Sequence, residues 1–122
     1  RLNIYECVNL TNDGVIALGK NARAYLETSK YSGKGSFELD SFASVSIKGK
    51  ELNAPLRIKI DPSEPWEPFD KITLVELFGA KLGRGLNAGN AVQLLNAKAG
   101  GLTLHLEHEQ SGDTHYWYLS GE

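Results

Sequence analysis

ARAYLETSKYSGKGSFELDSFASVSIKGKELNAPLRIKI, residues Ala22–Ile60, alternates apolar and polar side chains in successive runs, and how those runs pair determines the architecture of the chain. Ala22, Ala24 and Leu26 alternate with Arg23, Tyr25 and Glu27, the period-two pattern of a half-buried strand. Ser32-Gly33-Lys34-Gly35 breaks the run, and Phe37 and Leu39 against Ser36, Glu38 and Asp40 begin what reads as the return strand. The spacing predicts a hairpin with Lys30–Gly35 as its loop. Ala43, Val45 and Ile47 then alternate with Ser44 and Ser46 in the opposite phase, which predicts a bulge or bend near Ser41. Leu56, Ile58 and Ile60 point inward against outward Arg57 and Lys59. Strands adjacent in sequence and closely connected predict antiparallel pairing.

On the N-terminal side, Leu2–Leu10 reads as a strand closed by the turn residues Thr11-Asn12-Asp13-Gly14, and Val15–Leu18 is a short apolar run. On the C-terminal side, Asp61–Asp70 (DPSEPWEPFD) holds three of the four prolines and four acids, a rigid, partly extended connector. Lys71–Leu82 is apolar on nearly every side, so periodicity leaves both a helix capped by Asp70 and a buried strand Ile72–Phe78 open; Gly83 and Gly85 as stop signals tilt the reading to helix. Ala88, Ala91, Val92, Leu95 and Ala99 form one helical stripe, with Asn87 to cap it and Gly100 to end it. No internal repeat is visible.

Gly101–Gly121 (GLTLHLEHEQSGDTHYWYLSG) reads as a hairpin turning at Ser111-Gly112. That turn would set His108 opposite His115, Leu106 opposite Trp117 and Leu104 opposite Leu119. One face would then be apolar, and the other would carry His105, Glu107 and Glu109 with Tyr116 and Tyr118. The expected fold is a single α+β domain spanning 1–122, mostly antiparallel with about six or seven short strands, one or two helices between residues 70 and 100, and a C-terminal hairpin.

A net charge of -2 argues against general affinity for nucleic acid or anionic membrane. The lone cysteine, Cys7, has no partner for an internal disulfide and reads as a buried thiol. No apolar run approaches the roughly 18 residues of a membrane helix, and the N-terminus lacks the apolar core of a signal peptide. A soluble protein is expected, with compartment and oligomeric state unspecified. The chain has no methionine, so Arg1 is not the expected translation start, and the chain reads as a processed form or a part of a longer one.

Each candidate for chemistry has an ordinary structural alternative. His108 and His115 could supply two ligands to a metal, with Asp113 or Glu107 as a third, but Glu107 lies on the other face and solvated histidines at a tip are the preferred reading. Gly79, Gly83, Gly85 and Gly89 depart from the dinucleotide fingerprint, and Gly33-Lys34 lacks the flanking residues of a phosphate loop. No nucleophile elbow or zinc-protease motif is present, so no cofactor is expected and no reaction can be named. Charge is polarised: Lys20–Ile60 carries eight basic residues against four acids, and Asp61–Ala80 five acids against one lysine.

Three functions are consistent with these features. The first is a non-enzymatic module that recognises a protein partner through exposed Tyr116, Tyr118 and Trp66, with His105 beside the tyrosines. The second is single-stranded nucleic-acid binding on a basic, aromatic sheet face of Arg23, Tyr25, Arg57 and Lys59. The third is a small enzyme with a site near Gly83–Gly89. The first is the preferred expectation.

Overall fold

A computed structural model describes residues 2–122. Its regular elements are all strands: β1 (Leu2–Thr11), β2 (Val15–Leu18), β3 (Arg23–Ser32), β4 (Ser36–Leu39), β5 (Ser44–Leu52), β6 (Leu56–Ile60), β7 (Phe69–Phe78), β8 (Lys81–Leu82), β9 (Val92–Leu94), β10 (Lys98–Ala99), β11 (Leu102–Ser111) and β12 (Thr114–Gly121). The α+β expectation is therefore wrong. No helix occurs among the described residues.

From β1 to β7 the strands alternate between two sheets. Sheet A runs β1-β3-β5-β7-β12-β11-β10, with β8 also paired to β5, and sheet B runs β2-β4-β6-β9. Within each sheet the first four strands are parallel. The chain thus winds as a solenoid, each coil contributing one strand to each sheet, instead of folding back in hairpins. Of the expected hairpin loop Lys30–Gly35, the first three residues end β3 in sheet A and Gly33–Gly35 is a corner leading to β4 in sheet B. The apparent phase change near Ser41 is the next corner, where Phe42 takes a left-handed backbone.

A repeat is present after all, in structure. Cys7, Thr28 and Gly49 are register partners, each 21 residues after the last, as are Val15, Ser36 and Arg57. The repeat escapes the sequence because it keeps the inward or outward direction of each position, not the residue type. Ile16, Phe37 and Ile58 stack in one column, and Leu18, Leu39 and Ile60 in another. Ala24 lies over Val45 and Val75, and Leu26 over Ile47 and Leu77. Phe37, Leu39, Leu26, Ile47 and Leu77 have at most 1% exposure, and each such side chain gains roughly 1.5–3 kcal/mol from leaving water.

The corners explain residue choices that alternation cannot. A side chain at Gly35 would place its Cβ 2.3 Å from the carbonyl oxygen of Gly14 and 2.5 Å from Asn12 Oδ1 in the coil beneath. Glycine is needed there for stacking, not for a hairpin turn. The buried Asn12 amide in turn donates to Tyr31 Oη at 3.3 Å and to the Ser36 carbonyl at 3.2 Å, tying the first coil to the second.

The expected helix Ala88–Ala99 is strand and turn, and Lys71–Leu82, which the sequence left open with a tilt to helix, takes its strand alternative as β7. β7 lies between β5 and β12, and its buried Leu74, Val75 and Leu77 break strict alternation where its register with β12 shifts. In Ala88–Ala99 only Ala91 and Val92 are buried; Val92 begins β9, paired with Leu56, and Leu95 is exposed. Asn96 lies beyond β9 and continues its role through the side chain. The Asn96 amide donates to the Ile60 carbonyl at 2.8 Å and its Oδ1 accepts from the Ile60 N–H at 3.0 Å.

The C-terminal hairpin is present and closes one end of sheet A, β12 lying antiparallel to both β7 and β11. Its register differs from expectation by two residues. His108 faces Trp117, Gln110 faces His115 and Leu106 faces Leu119, so Gly112, with φ 62°, and Asp113 form the turn. A two-residue shift preserves the faces: Trp117 and Leu119 remain in the core.

Candidate functional site

The outer face of sheet A collects most of the polar and aromatic side chains. The cross-strand row from Asn3 passes through Tyr25, Ser46, Glu76 and Tyr116 to Glu109, and the neighbouring row links Glu27, Lys48, Phe78 and Thr114. Tyr5 and Tyr25 pack at 5.6 Å between ring centroids at one end of this face. At the other, Tyr116 and Tyr118 stack at 6.0 Å with ring planes 10° apart, and Lys71 Nζ lies 4.0 Å from the Tyr118 centroid. Both hairpin tyrosines are half-buried, not exposed as expected. Burial and the nearby Glu109 hold the Tyr118 hydroxyl above its ordinary pKa.

Between the tyrosine pairs lies a hollow of about 400 Å³ lined by Arg23, Ser44, Ser46, Thr73 and Glu76 among others. Beside it a larger groove, about 600 Å³, follows a bend within the sheet A strands from coil to coil. The bend is encoded at Cys7, Thr28 and Gly49. In β3 the inward side chains are Ala24, Leu26 and Thr28, then Tyr31, so the inward set skips one place. Thr28 Oγ1 donates to the Lys30 carbonyl at 3.0 Å, and Cys7 Sγ does the same to the Asn9 carbonyl at 3.0 Å, one coil below. The next position in the column is Gly49, where a Cβ would lie 1.8 Å from the Thr28 carbonyl oxygen.

Along the groove the charges come in order: Glu6 on β1, Glu27 on β3, Lys48 and Lys50 on β5, and Asp113 at the hairpin turn, with Phe78 and Val8 as apolar lining. Glu27 Oε2 accepts a hydrogen bond from the Tyr25 hydroxyl at 3.2 Å, which joins the groove to the tyrosine pair. Burial, and then Glu27, raises the Tyr25 pKa. The groove residues were not singled out from sequence. Cys7, Thr28 and Gly49 share a 21-residue spacing but no residue type, so the column left no signal in the sequence.

The structure separates the other candidates. His105 lies on the same outer face and pairs with Glu122 at 2.9 Å. Trp66 instead packs with Phe42 and Phe69 in the proline connector, and its indole N–H donates to Ser41 Oγ at 2.6 Å. That cluster reaches the hollow only through Phe42. Arg23 and Tyr25 lie on sheet A, whereas Arg57 and Lys59 lie on β6 of sheet B, so the four do not form one basic platform. Arg57 is half-buried, with its Nη1 buried and unpartnered among the described residues.

His108 Nε2 and His115 Nδ1 are 2.8 Å apart, hydrogen-bonded to each other over the Trp117 ring. No group of three potential metal ligands occurs among the described residues. Burial, and then the neighbouring His108, lowers the His115 pKa. Around Gly83–Gly89 the polar groups serve the loop itself: Asn90 donates to the Gly85 carbonyl and accepts from the Asn87 N–H. No described helix is long and apolar enough to cross a membrane.

Comparison of the chain with known protein families, curated proteins and solved structures gave no match.

Proposed function

We propose that the chain is a non-catalytic recognition module that binds an extended segment of a protein partner along the outer face of sheet A. The observation that carries this reading is the groove of about 600 Å³ crossing successive coils, apolar at Val8 and Phe78 and charged in a fixed order. Parallel strands stand about 4.8 Å apart, so a groove crossing them sets the lining side chains of successive coils side by side along its length. Tyr25 and Tyr116 border it in the adjacent row, where rings with a polar tip favour protein contacts. The order Glu6, Glu27, Lys48, Lys50, Asp113 fits a segment with basic residues toward β1 and β3 and an acid over β5.

A random peptide library displayed on phage and selected on the immobilised chain tests this. Enriched peptides should carry an acid and a base separated by an apolar residue, and Phe78→Ala or Lys48→Glu should weaken them at least about tenfold, or roughly 1.4 kcal/mol. Absence of enrichment over the bare support sinks the proposal. Binding that ignores both substitutions sinks the groove as its location.

A further inference from the structure

We propose that the aromatic cluster of the proline connector, Phe42, Trp66 and Phe69, binds a quaternary ammonium group on an uncharged alkyl stem, as carried by a trimethylated lysine of a protein partner. The three rings wall a hollow of about 300 Å³ that Lys20, Glu64 and Glu67 also line. It shares no lining residue with the groove on sheet A, so it is a second site and does not rest on the reading of that groove.

Phe42 is the residue that an ordinary corner does not explain. Arg23 and Ser44 are register partners, which places Asn21 and Phe42, two positions earlier, at the same corner of successive coils. Both take φ 61°. Asparagine enters that left-handed conformation readily, whereas a bulky side chain is strained in it. The ring gains little burial in return, since Phe42 is 44% exposed. A phenyl group held against backbone preference and left in water points to a ligand.

The rest of the cluster is fixed in advance. Trp66 and Phe69 meet edge to face at 5.0 Å between centroids, and Phe42 lies 6.0 Å from each. The Trp66 indole N–H donates to Ser41 Oγ at 2.6 Å. Asp40 Oδ1 accepts from the Ser63 and Ser41 N–H groups at 2.8 and 2.6 Å, which ties the connector to the Phe42 corner. Ring faces attract cations through their quadrupole, and little ordering is left to oppose binding.

Charge selects the ligand. One lysine and two glutamates leave the lining with one negative charge in excess. Lys20 pairs with Glu64 at 3.5 Å, and Glu67 has no ion-pair partner among the described residues. That balance favours a cation and disfavours phosphocholine, whose phosphate would bring a further anion to the acids. Methylation matters because ring surface offers no conventional acceptors to the N–H groups of a primary ammonium, while a trimethylated one has no N–H to leave unpaired.

Titration of isotope-labelled protein with acetylated trimethyl-lysine amide, followed by NMR, tests this. Of the two tryptophan indole signals, that of Trp66 should move and that of Trp117 should stay. Affinity should exceed that for the neutral isostere, with carbon in place of the ammonium nitrogen, by about five- to thirtyfold. Unmethylated lysine amide and phosphocholine should both bind more weakly. These comparisons use the wild type alone and do not depend on any variant folding. Glu67→Gln should weaken binding, Phe42→Asn, which repeats the Asn21 corner, should abolish it, and Lys48→Glu in the groove should leave it unchanged. An unmoved Trp66 signal, equal affinity for the neutral isostere, a preference for phosphocholine, or full binding by Phe42→Asn would each overturn the proposal.

Discussion

At the residue scale, the sharpest constraints are positions where one coil touches the next. Gly49 is the clearest, because a Cβ there would lie 1.8 Å from the Thr28 carbonyl oxygen and backbone cannot rotate aside. Gly49→Ala should cost about 1–3 kcal/mol by overpacking, read as a lower urea midpoint with unchanged slope. His115 gives a pH dependence of known sign. Its folded pKa lies below the ordinary value of 6.5, so the unfolded state takes up protons first as pH falls. This contribution to stability is complete above about pH 6.5 and is lost as pH falls from there toward the folded pKa. The loss of melting temperature between neutral and mildly acidic buffer should be smaller in His115→Gln than in the wild type; equal losses would remove His115 as the cause. Neither effect is legible from alternation. Gly49 looks like any strand glycine until Thr28 is known to lie beneath it, and the contact between His108 and His115 is diagonal across the hairpin instead of directly opposite, because the turn falls one residue later than Ser111-Gly112 and so shifts the pairing by two.

At the element scale, what the sequence conveys is where strands lie and which way their side chains point. Ala24, Leu26, Phe37, Leu39, Val45, Ile47, Leu56, Ile58 and Ile60 are buried, as alternation requires. Partner choice is not conveyed, because period-two alternation is the same for a strand that turns back and for one that turns a corner. The helical reading of Ala88–Ala99 failed for a related reason. Its apolar spacing of three and four arises where a loop, a three-residue strand and a turn follow one another. Asn96 carries much of the order there. Asn96→Leu, which keeps the volume and removes both hydrogen bonds to Ile60, should destabilise by about 1–3 kcal/mol, since the Ile60 groups lose their partners. Hydrogen exchange at the Ile60 amide should rise in parallel.

At the scale of the whole molecule, stability should grade along the solenoid axis, since each coil is held by its immediate neighbours. Coils two and three have neighbours on both sides, and the first has one. Amide exchange in the chain should be fastest in β1 and β2 and slowest in β3 to β6; uniform protection would show one indivisible cooperative unit instead. The candidate groove belongs to this scale too, since its lining comes from β1, β3, β5, β7 and the hairpin turn, segments joined only by the winding. The register also separates two kinds of change that a chain of this design can accept. Leu56 and Val92 are partners 36 residues apart, whereas Arg57 follows Ser36 by 21, so the coil of β7 and β9 has absorbed extra residues at its corners without disturbing the ladder. Lengthening a corner alters what the molecule displays, and adding a whole coil moves its two ends apart by about 4.8 Å. The fold is in that sense a ruler with interchangeable tabs, and grafts at Asp61–Asp70 or Gly83–Asn90 should leave its graduations intact.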